Sequence, residues 1–177
     1  KKANKDVKLI NLARPAEEHK FYEKVLSKHT KEGQLEFVFD GTMGRLVIWN
    51  ELRKKKKEKG DIIAEGYTSA YDARLSAPGE VSVFGIHDPL KTGVMPGKKT
   101  KEAIKFLKEF FPVEGAESVI DAGLYALNPV VHTPGCIMNA GRIEYAKGEF
   151  WFYKEGITPC VGRVTEALDG ERMAIIK

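Results

Sequence analysis

Short apolar runs alternate with helical stretches through the first 65 residues, and this rhythm is the strongest constraint on the fold. Val7–Ala13 is predicted to form a buried strand, and Pro15–Glu18 then supplies the proline and acidic residues typical of a helix N-terminus. Further strands are predicted at Leu35–Phe39 and Asp61–Glu65, with a helix between them. Strands separated by single helices pair in parallel through right-handed crossovers. The rhythm therefore predicts an α/β fold with a parallel sheet.

The pattern changes after about Ile120. Before that point we predict one more strand at Glu80–Ile86 and a helix at Thr100–Phe111. After it, strand signals nearly vanish, and helices are predicted over Asn128–Ala146 and Thr158–Lys177, joined by a short aromatic connector. The expected organisation is the back half of an α/β domain in residues 1–120, followed by the start of a helical domain in residues 121–177.

Composition and charge exclude several function classes. The net charge of +4 is too small to indicate nucleic acid, and 42% hydrophobic residues are ordinary for a globular chain. The basic run Lys54–Lys57 falls at the end of a predicted helix, where cations offset the helix dipole, and it has no interleaved aromatic residues. No apolar run approaches the ~18 residues of a membrane span. We expect a cytoplasmic protein that binds neither nucleic acid nor membrane.

The histidines and cysteines indicate no metal centre. The four histidines are scattered, and neither Cys-x-x-Cys nor His-x-x-x-His spacing occurs. Two cysteines, Cys136 and Cys160, are too few for a disulfide scaffold, and we expect them to be reduced and buried.

The most informative segment is Asn128–Gly135. Asparagine favours the N-cap and proline the first helical position, so a helix should begin at Asn128, although Pro134 interrupts it or starts a second one. His132 then lies near a helix N-terminus, whose partial positive charge favours neutral imidazole and attracts a carboxylate. Such a histidine can shuttle a proton beside hydride transfer. A capping or core histidine is the other interpretation that this segment permits.

Two loops follow predicted parallel strands, Leu12–Pro15 and Asp40–Gly44. Ligands of open parallel sheets bind outside the carboxyl ends of the strands, where these loops lie. Glycine allows a backbone to approach a ligand closely, and the following helix offers free N–H groups. The Gly41-Thr42-Met43-Gly44 spacing is also that of an ordinary tight turn.

Several longer strings, taken together, resemble the octopine/nopaline-type opine dehydrogenases. They occur in that family's order and spacing, and they are Gly123–His132, Asn139–Glu144, Phe152–Pro159 and Asp169–Arg172. Upstream, Arg14–His19 resembles the corner after the family's fourth strand, and Glu65–Arg74 resembles a linker that lines the active site. The fold that this implies is the C-terminal part of a Rossmann-like parallel sheet, the back half of a dinucleotide-binding domain, followed by a mainly α-helical domain.

The resemblance implies a reductive condensation of an amino acid or other amine with an α-keto acid, using NAD or NADP as cofactor. His132 matches the family's catalytic histidine, while Thr68, Tyr71 and Asn128 fall at substrate-binding positions. Ala73 stands where a relative carries cysteine, so the amine specificity of that relative does not transfer.

The resemblance also assigns cofactor contacts to the two loops. The expected contacts are made by Pro15, Gly41, Thr42 and Gly44. The expected partners are the small-molecule substrates, and a homodimer is left open.

The missing motifs suggest that the chain is an internal piece of a longer enzyme. The Gly-x-Gly-x-x-Gly fingerprint that holds a pyrophosphate does not occur, and the family's acidic partner of the catalytic histidine is expected beyond residue 177. We therefore expect the isolated piece to turn over little or nothing. Two other hypotheses remain. One is a ketopantoate- or hydroxyacid-type reductase, which typically uses lysine where this chain has His132; the other is a non-catalytic binding module on a degenerate dehydrogenase fold.

Overall fold

The computed structural model describes residues 6–14, 16–26, 28–44, 46, 49 and 62–176. The chain divides into two compact units, Lys1–Tyr125 and Ala126–Lys177. The first is built around a sheet, and the second consists of helices.

The sheet of the first unit has five strands, which in spatial order are β1 (Leu9–Leu12), β2 (Leu35–Val38), β3 (Ile62–Gly66), β6 (Leu90–Met95) and β7 (Val113–Gly115). The first three strands are parallel to one another, as the βα rhythm predicts. β6 runs antiparallel to β3, and β7 runs parallel to β6. Every residue of β2 and β3 is buried, which is typical of central strands covered on both faces.

Two strands of this sheet were not predicted, because β6 and β7 lack a continuous apolar run. β6 contains Lys91, Thr92 and Gly93. Gly93 is needed where β6 passes the helix Val119–Leu124, since a Cβ atom at Gly93 would lie 2.5 Å from the Cα atom of Val119. β7 is only three residues long.

The helices of this unit are α1 (Ala16–Leu26), α2 (Thr100–Leu107) and α3 (Val119–Leu124), of which α2 and α3 contact strands of the sheet. Gly44, Leu46 and Trp49 are also helical. The predicted helix after the Asp40–Gly44 loop is thus described at its beginning, while the Lys54–Lys57 run lies outside the described residues. Buried apolar side chains of the sheet and α2, including Phe37, Leu90 and Leu107, form the core.

The predicted strand Glu80–Ile86 exists as β5, but it does not join the main sheet. It pairs antiparallel with β4 (Tyr71–Ala77) in a separate two-stranded hairpin. Gly79 takes φ +80° at the turn, a conformation that glycine adopts without steric cost. Most hairpin side chains are exposed, so little apolar packing holds this element.

The second unit contains α4 (Asn128–Met138), α5 (Ala140–Ala146), a π-helical turn (Phe152–Gly156) and α6 (Pro159–Ile176). The predicted stretch Asn128–Ala146 is divided at Asn139, whose φ and ψ of −109° and 9° are not helical. Helix α4 continues through Pro134, which is buried.

The expectation of buried cysteines was wrong. Cys136 and Cys160 are free, and both are exposed. Helix α4 buries Val130, Pro134 and Gly135, which leaves Cys136 outside its buried set.

Candidate active site

His132 is the fifth residue of helix α4, one turn after Asn128. The helix begins at Asn128, as predicted, but Asn128 is its first residue and Leu127 takes the N-cap position without a side-chain cap. The amides of Val130 and Val131 both donate to the Leu127 carbonyl. The imidazole of His132 is half-buried, so it is accessible to a ligand.

The imidazole bonds to a tyrosine that the sequence analysis did not select. The hydroxyl oxygen of Tyr153 lies 2.8 Å from Nε2 of His132. A phenol can donate a hydrogen bond to an unprotonated ring nitrogen and accept one from a protonated nitrogen. The pair is therefore compatible with either protonation state of Nε2. Tyr153 itself is 68% exposed, which places the pair at the surface of its unit.

Aromatic rings support this pair from the π-helical turn. The ring of Phe152 lies 5.4 Å from the imidazole and 5.1 Å from the ring of Tyr153, in edge-type geometry for the second contact. Phe152 in turn sits against Gly135, where a Cβ atom would come within 2.5 Å of the Phe152 Cζ atom. A glycine at position 135 thus lets the aromatic turn approach helix α4.

Asn139 joins the turn to the helix through hydrogen bonds. Its Nδ2 amide donates to the Gly135 carbonyl at 2.7 Å and to the Gly156 carbonyl at 2.9 Å. Both bonds come from one amide group, so a single side chain holds the Gly156 end of the π-helical turn. Tyr153 belongs to the same turn. The other end is held by Glu155, which accepts from the Trp151 amide at 2.8 Å.

In the first unit, the Asp40–Gly44 loop follows β2 in a strained conformation. Asp40, Thr42 and Met43 have φ values of 53°, 43° and 63°, in the left-handed region that non-glycine residues seldom adopt. Gly41 packs against the buried side chain of Glu65, and a Cβ atom at Gly41 would lie 2.2 Å from Glu65 Cγ.

The N–H groups of this loop are mostly directed into the protein. Those of Asp40 and Gly41 donate to the carbonyls of Thr68 and Gly66, both at 3.3 Å. Met43 donates to the carboxyl of Glu65, and Gly44 donates to the Gly41 carbonyl. Four of the five N–H groups of the loop are thus hydrogen-bonded within the protein.

Thr68 and Tyr71 follow β3 and lead into the hairpin. The bond from the Asp40 amide to the Thr68 carbonyl places Thr68 beside the Asp40–Gly44 loop. Tyr71 opens β4 and is 42% exposed.

The structure therefore groups the predicted site residues in two sets. Gly41, Thr42, Gly44 and Thr68 lie together in the first unit, and Asn128 and His132 share one helix of the second. Pro15 lies outside the described residues. Glu65, Asn139 and Tyr153 were missed as contributors. All three stand within the stretches that carry the family resemblance, Glu65 as the first residue of Glu65–Arg74, but no local pattern singled them out.

Within the described part of the chain, no three His, Cys, Asp or Glu side chains are grouped so that they could hold a metal ion. None of its helices combines the length and apolar character needed to cross a membrane.

Comparison with known sequences gives two matches. A family model, described as the NAD/NADP octopine/nopaline dehydrogenase alpha-helical domain, matches residues 115–177. An opine dehydrogenase of Arthrobacter sp. (strain 1C) is 32% identical over 176 residues, which make up 99% of this chain and 49% of that protein. The chain therefore spans about half the length of this relative.

Solved structures share the fold. Yersinopine dehydrogenase in its apo form matches with a TM-score of 0.63 at 13% identity, over 90% of this chain and 41% of its own. A PanE/ApbA family ketopantoate reductase from Ralstonia eutropha JMP134 matches with a TM-score of 0.59 at 16% identity, over 98% of this chain and 52% of its own. At these identities the likeness concerns the fold alone. It confirms the predicted fold class, a Rossmann-like sheet followed by a helical part.

Proposed function

This chain is a relative of the octopine/nopaline-type opine dehydrogenases, and from that relationship we propose that it serves the NAD(P)H-dependent condensation of an amino acid or amine with an α-keto acid. The NAD/NADP dehydrogenase family supports oxidoreductase chemistry. The observation that carries the finer proposal is the hydrogen bond between His132 and Tyr153, because it lies inside the segment that the family model matches. Residues 1–120 would then supply the back half of the dinucleotide-binding domain.

The described residues fit one part of a dinucleotide site. The carboxyl ends of parallel strands β1 and β2 are adjacent, which is where open α/β sheets bind such ligands. The loop N–H groups are engaged, and one of them bonds to the Glu65 carboxyl, so phosphate groups find few free donors there. We therefore assign Gly41, Thr42 and Gly44 to the nicotinamide end of the cofactor rather than to its pyrophosphate. Pro15 keeps the cofactor role that its sequence position implies.

The bound cofactor supplies the hydride, and His132 supplies the proton. When the amine attacks the keto acid, the protonated imidazole donates its proton to the carbonyl oxygen or to the hydroxyl that leaves as water. In the oxidative direction the imidazole accepts a proton. The Tyr153 hydroxyl can accept from Nε2–H or donate to unprotonated Nε2, so it can stay hydrogen-bonded to the imidazole while Nδ1 exchanges the proton with the substrate.

Substrate positions follow from the same relationship. Asn128 lies one helical turn before His132, so its side chain can share the face that carries the imidazole. Thr68 lies next to the loop that we assign to the cofactor, and Tyr71 lies three residues further along, at the start of β4. We assign these three residues to the amine and keto-acid substrates. We further propose a cytoplasmic enzyme whose partners are small molecules, with a homodimer as the assembly to be tested.

A coupled assay on the full-length protein tests this function. Oxidation of NADH and of NADPH would be followed with pyruvate and a panel of amino acids, in the wild type and in His132→Ala. The matched control is His29→Ala, a histidine in the turn after α1. We expect turnover that needs both co-substrates and falls by about 10²-fold in His132→Ala only. Turnover that needs no amine, or an unchanged His132→Ala variant, would contradict the proposal.

The second candidate is a ketopantoate- or hydroxyacid-type reductase, which the fold of the ketopantoate reductase favours. Because fold likeness at low identity does not assign a reaction, the 32% identical opine dehydrogenase weighs more. Reduction of a keto acid without amine in the same assay would select this candidate. No reduction of any keto acid, with or without amine, would favour a non-catalytic binding module.

A further inference from the structure

His87 lies at the end of β5, outside the residues assigned so far, and it holds the segment Tyr67–Asp72 at three points. Its Nδ1 atom lies 3.3 Å from the Tyr67 hydroxyl, and its Nε2 atom lies 3.3 Å from Oδ2 of Asp72. Its backbone N–H donates to the Ala70 carbonyl at 3.1 Å. One residue thus contacts both ends and the middle of a six-residue segment.

We propose that His87 is a positioning residue for binding of the amine substrate. This inference rests on the proposed function, because the segment that His87 holds carries Thr68 and Tyr71. Tyr67 directly precedes the first of these residues, and Asp72 directly follows the second. The two side-chain links to His87 therefore bracket the two substrate positions.

Backbone pairing of β4 with β5 aligns Tyr71 with Ile86 and Asp72 with Gly85, but apolar packing adds little support on this side. The residues of β4 and β5 are mostly exposed, and Leu75, Val81 and Phe84 are among its exposed apolar residues. Since apolar burial contributes little, the side-chain links of His87 supplement this backbone pairing in setting the position of Tyr71. On the opposite side, the amide of Tyr67 donates to the Lys91 carbonyl and the carbonyl of Thr68 accepts from Asp40. These bonds hold the inner end of the segment against the main sheet, and His87, the residue that follows β5, links to both ends of the segment.

The imidazole suits this role because its two ring nitrogens act on different partners. When Nε2–H donates to the Asp72 carboxylate, Nδ1 is left as an acceptor for the Tyr67 hydroxyl. If Nδ1 gains a proton, Nδ1–H can donate to the Tyr67 hydroxyl oxygen, because a phenolic oxygen can accept a hydrogen bond as well as donate one. Both links therefore persist in either state of the ring. Each is long for a hydrogen bond, so both contribute to the position of the segment and neither fixes it alone.

Four variants of the full-length protein separate the two links. His87→Ala removes both, Tyr67→Phe removes the phenol link, and Asp72→Asn removes the charge. His87→Asn keeps an acceptor near the Nδ1 position, so it should restore the Tyr67 link alone. The control is His29→Ala, which removes a histidine from the turn after α1.

The kinetic test compares the change in KM for the amine with the changes in KM for the keto acid and in kcat. We expect His87→Ala to raise KM for the amino acid by about tenfold, with KM for the keto acid and kcat within about threefold of the wild type. His87→Asn should recover part of that rise. Adding Tyr67→Phe to His87→Ala should change nothing further, because the link is already gone. An unchanged amine KM in His87→Ala, or an equal rise in both KM values, would overturn the inference.

Hydrogen exchange provides a readout that does not depend on activity. Amides in Tyr67–Asp72 should exchange faster in His87→Ala than in the wild type, and the control should leave them unchanged. Unaltered exchange in His87→Ala would show that no such link exists and would also overturn the inference. Failure of the proposed function has a different signature, since the wild-type protein itself would then show no amine-dependent turnover.

Discussion

The Tyr153 hydroxyl oxygen lies 2.8 Å from Nε2 of His132, although the two residues are 21 positions apart in the sequence. Helix α4 presents the imidazole, and the π-helical turn presents the phenol. The turn reaches the helix because Gly135 leaves room for Phe152, and because Asn139 donates to carbonyls on both elements. The geometry of the pair thus depends on residues that touch neither ring nitrogen.

Removing the phenol oxygen should weaken catalysis less than removing the imidazole. Tyr153→Phe keeps the ring contact with Phe152 and deletes one hydrogen bond, which typically contributes about 1 kcal/mol, so kcat/KM should fall about five- to tenfold. His132→Ala should cost about 10²-fold or more. Steady-state kinetics on the full-length protein measures both. Equal losses in the two variants would mean that the phenol is as necessary as the imidazole, contrary to this prediction.

Asn139→Asp should destabilise the helical unit even though the side chains have the same shape. The aspartate has no amide donor, and its oxygens would face the carbonyls of Gly135 and Gly156. Leaving such groups unsatisfied costs about 1–3 kcal/mol. Thermal unfolding followed by circular dichroism measures the loss, and Asn139→Ala is the comparison. An aspartate variant as stable as the wild type would show that these hydrogen bonds are not needed.

Gly41→Ala should destabilise the first unit, because the new Cβ atom would overlap the buried Glu65 side chain. Overpacking of this kind costs about 1–3 kcal/mol. The control is Gly162→Ala in helix α6, where a Cβ atom meets nothing within 4 Å. That change should stabilise its helix by about 0.5–1 kcal/mol, because alanine favours a helix over glycine. Denaturant unfolding of both variants tests the contrast, and a neutral Gly41→Ala would refute the close packing.

The pKa of the Tyr67 phenol is raised, first because burial disfavours the phenolate and second because of the negative charge of Asp72. The unfolded chain therefore loses this proton at about pH 10, before the folded protein does. Stability that this phenol contributes is present below that pH and falls as the pH rises above it. The ultraviolet titration curve of the wild type, after subtraction of the curve of Tyr67→Phe, should show one tyrosine ionising above its ordinary range. Asp72→Asn should lower the midpoint of that ionisation. A midpoint at or below the ordinary value would contradict this prediction.

Much of the first unit follows from local sequence patterns. The strands β1, β2 and β3 and the helix α1 were predicted because apolar runs, proline, acidic residues and glycine mark them locally. The strands β6 and β7 were not predicted, since a six-residue strand with lysine, threonine and glycine gains its place only by pairing with β3. The hairpin was predicted in half. β5 was identified by its apolar residues, whereas β4 was missed although Tyr71, Ala73, Leu75 and Ala77 alternate with polar residues.

In the candidate site, too, some residues could be selected from the sequence and others could not. A proline-containing helix start and the strings around it are sufficient to select His132 from the sequence. Tyr153, Asn139 and Glu65 act through contacts between residues that are distant along the chain, and no local pattern specifies those contacts.

The sequence by itself determined the α/β rhythm and the change to helices, because propensity, capping and periodicity act over a few neighbouring residues. The family resemblance selected His132 as the candidate catalytic residue. Only the tertiary structure decided which strands pair, that Glu65 accepts a hydrogen bond from the amide of Met43, and that Tyr153 bonds to His132. These features arise when separate segments pack at close range. Hydrogen bonds form only within about 3.5 Å, so their partners are fixed by the packing of the whole unit and not by sequence spacing.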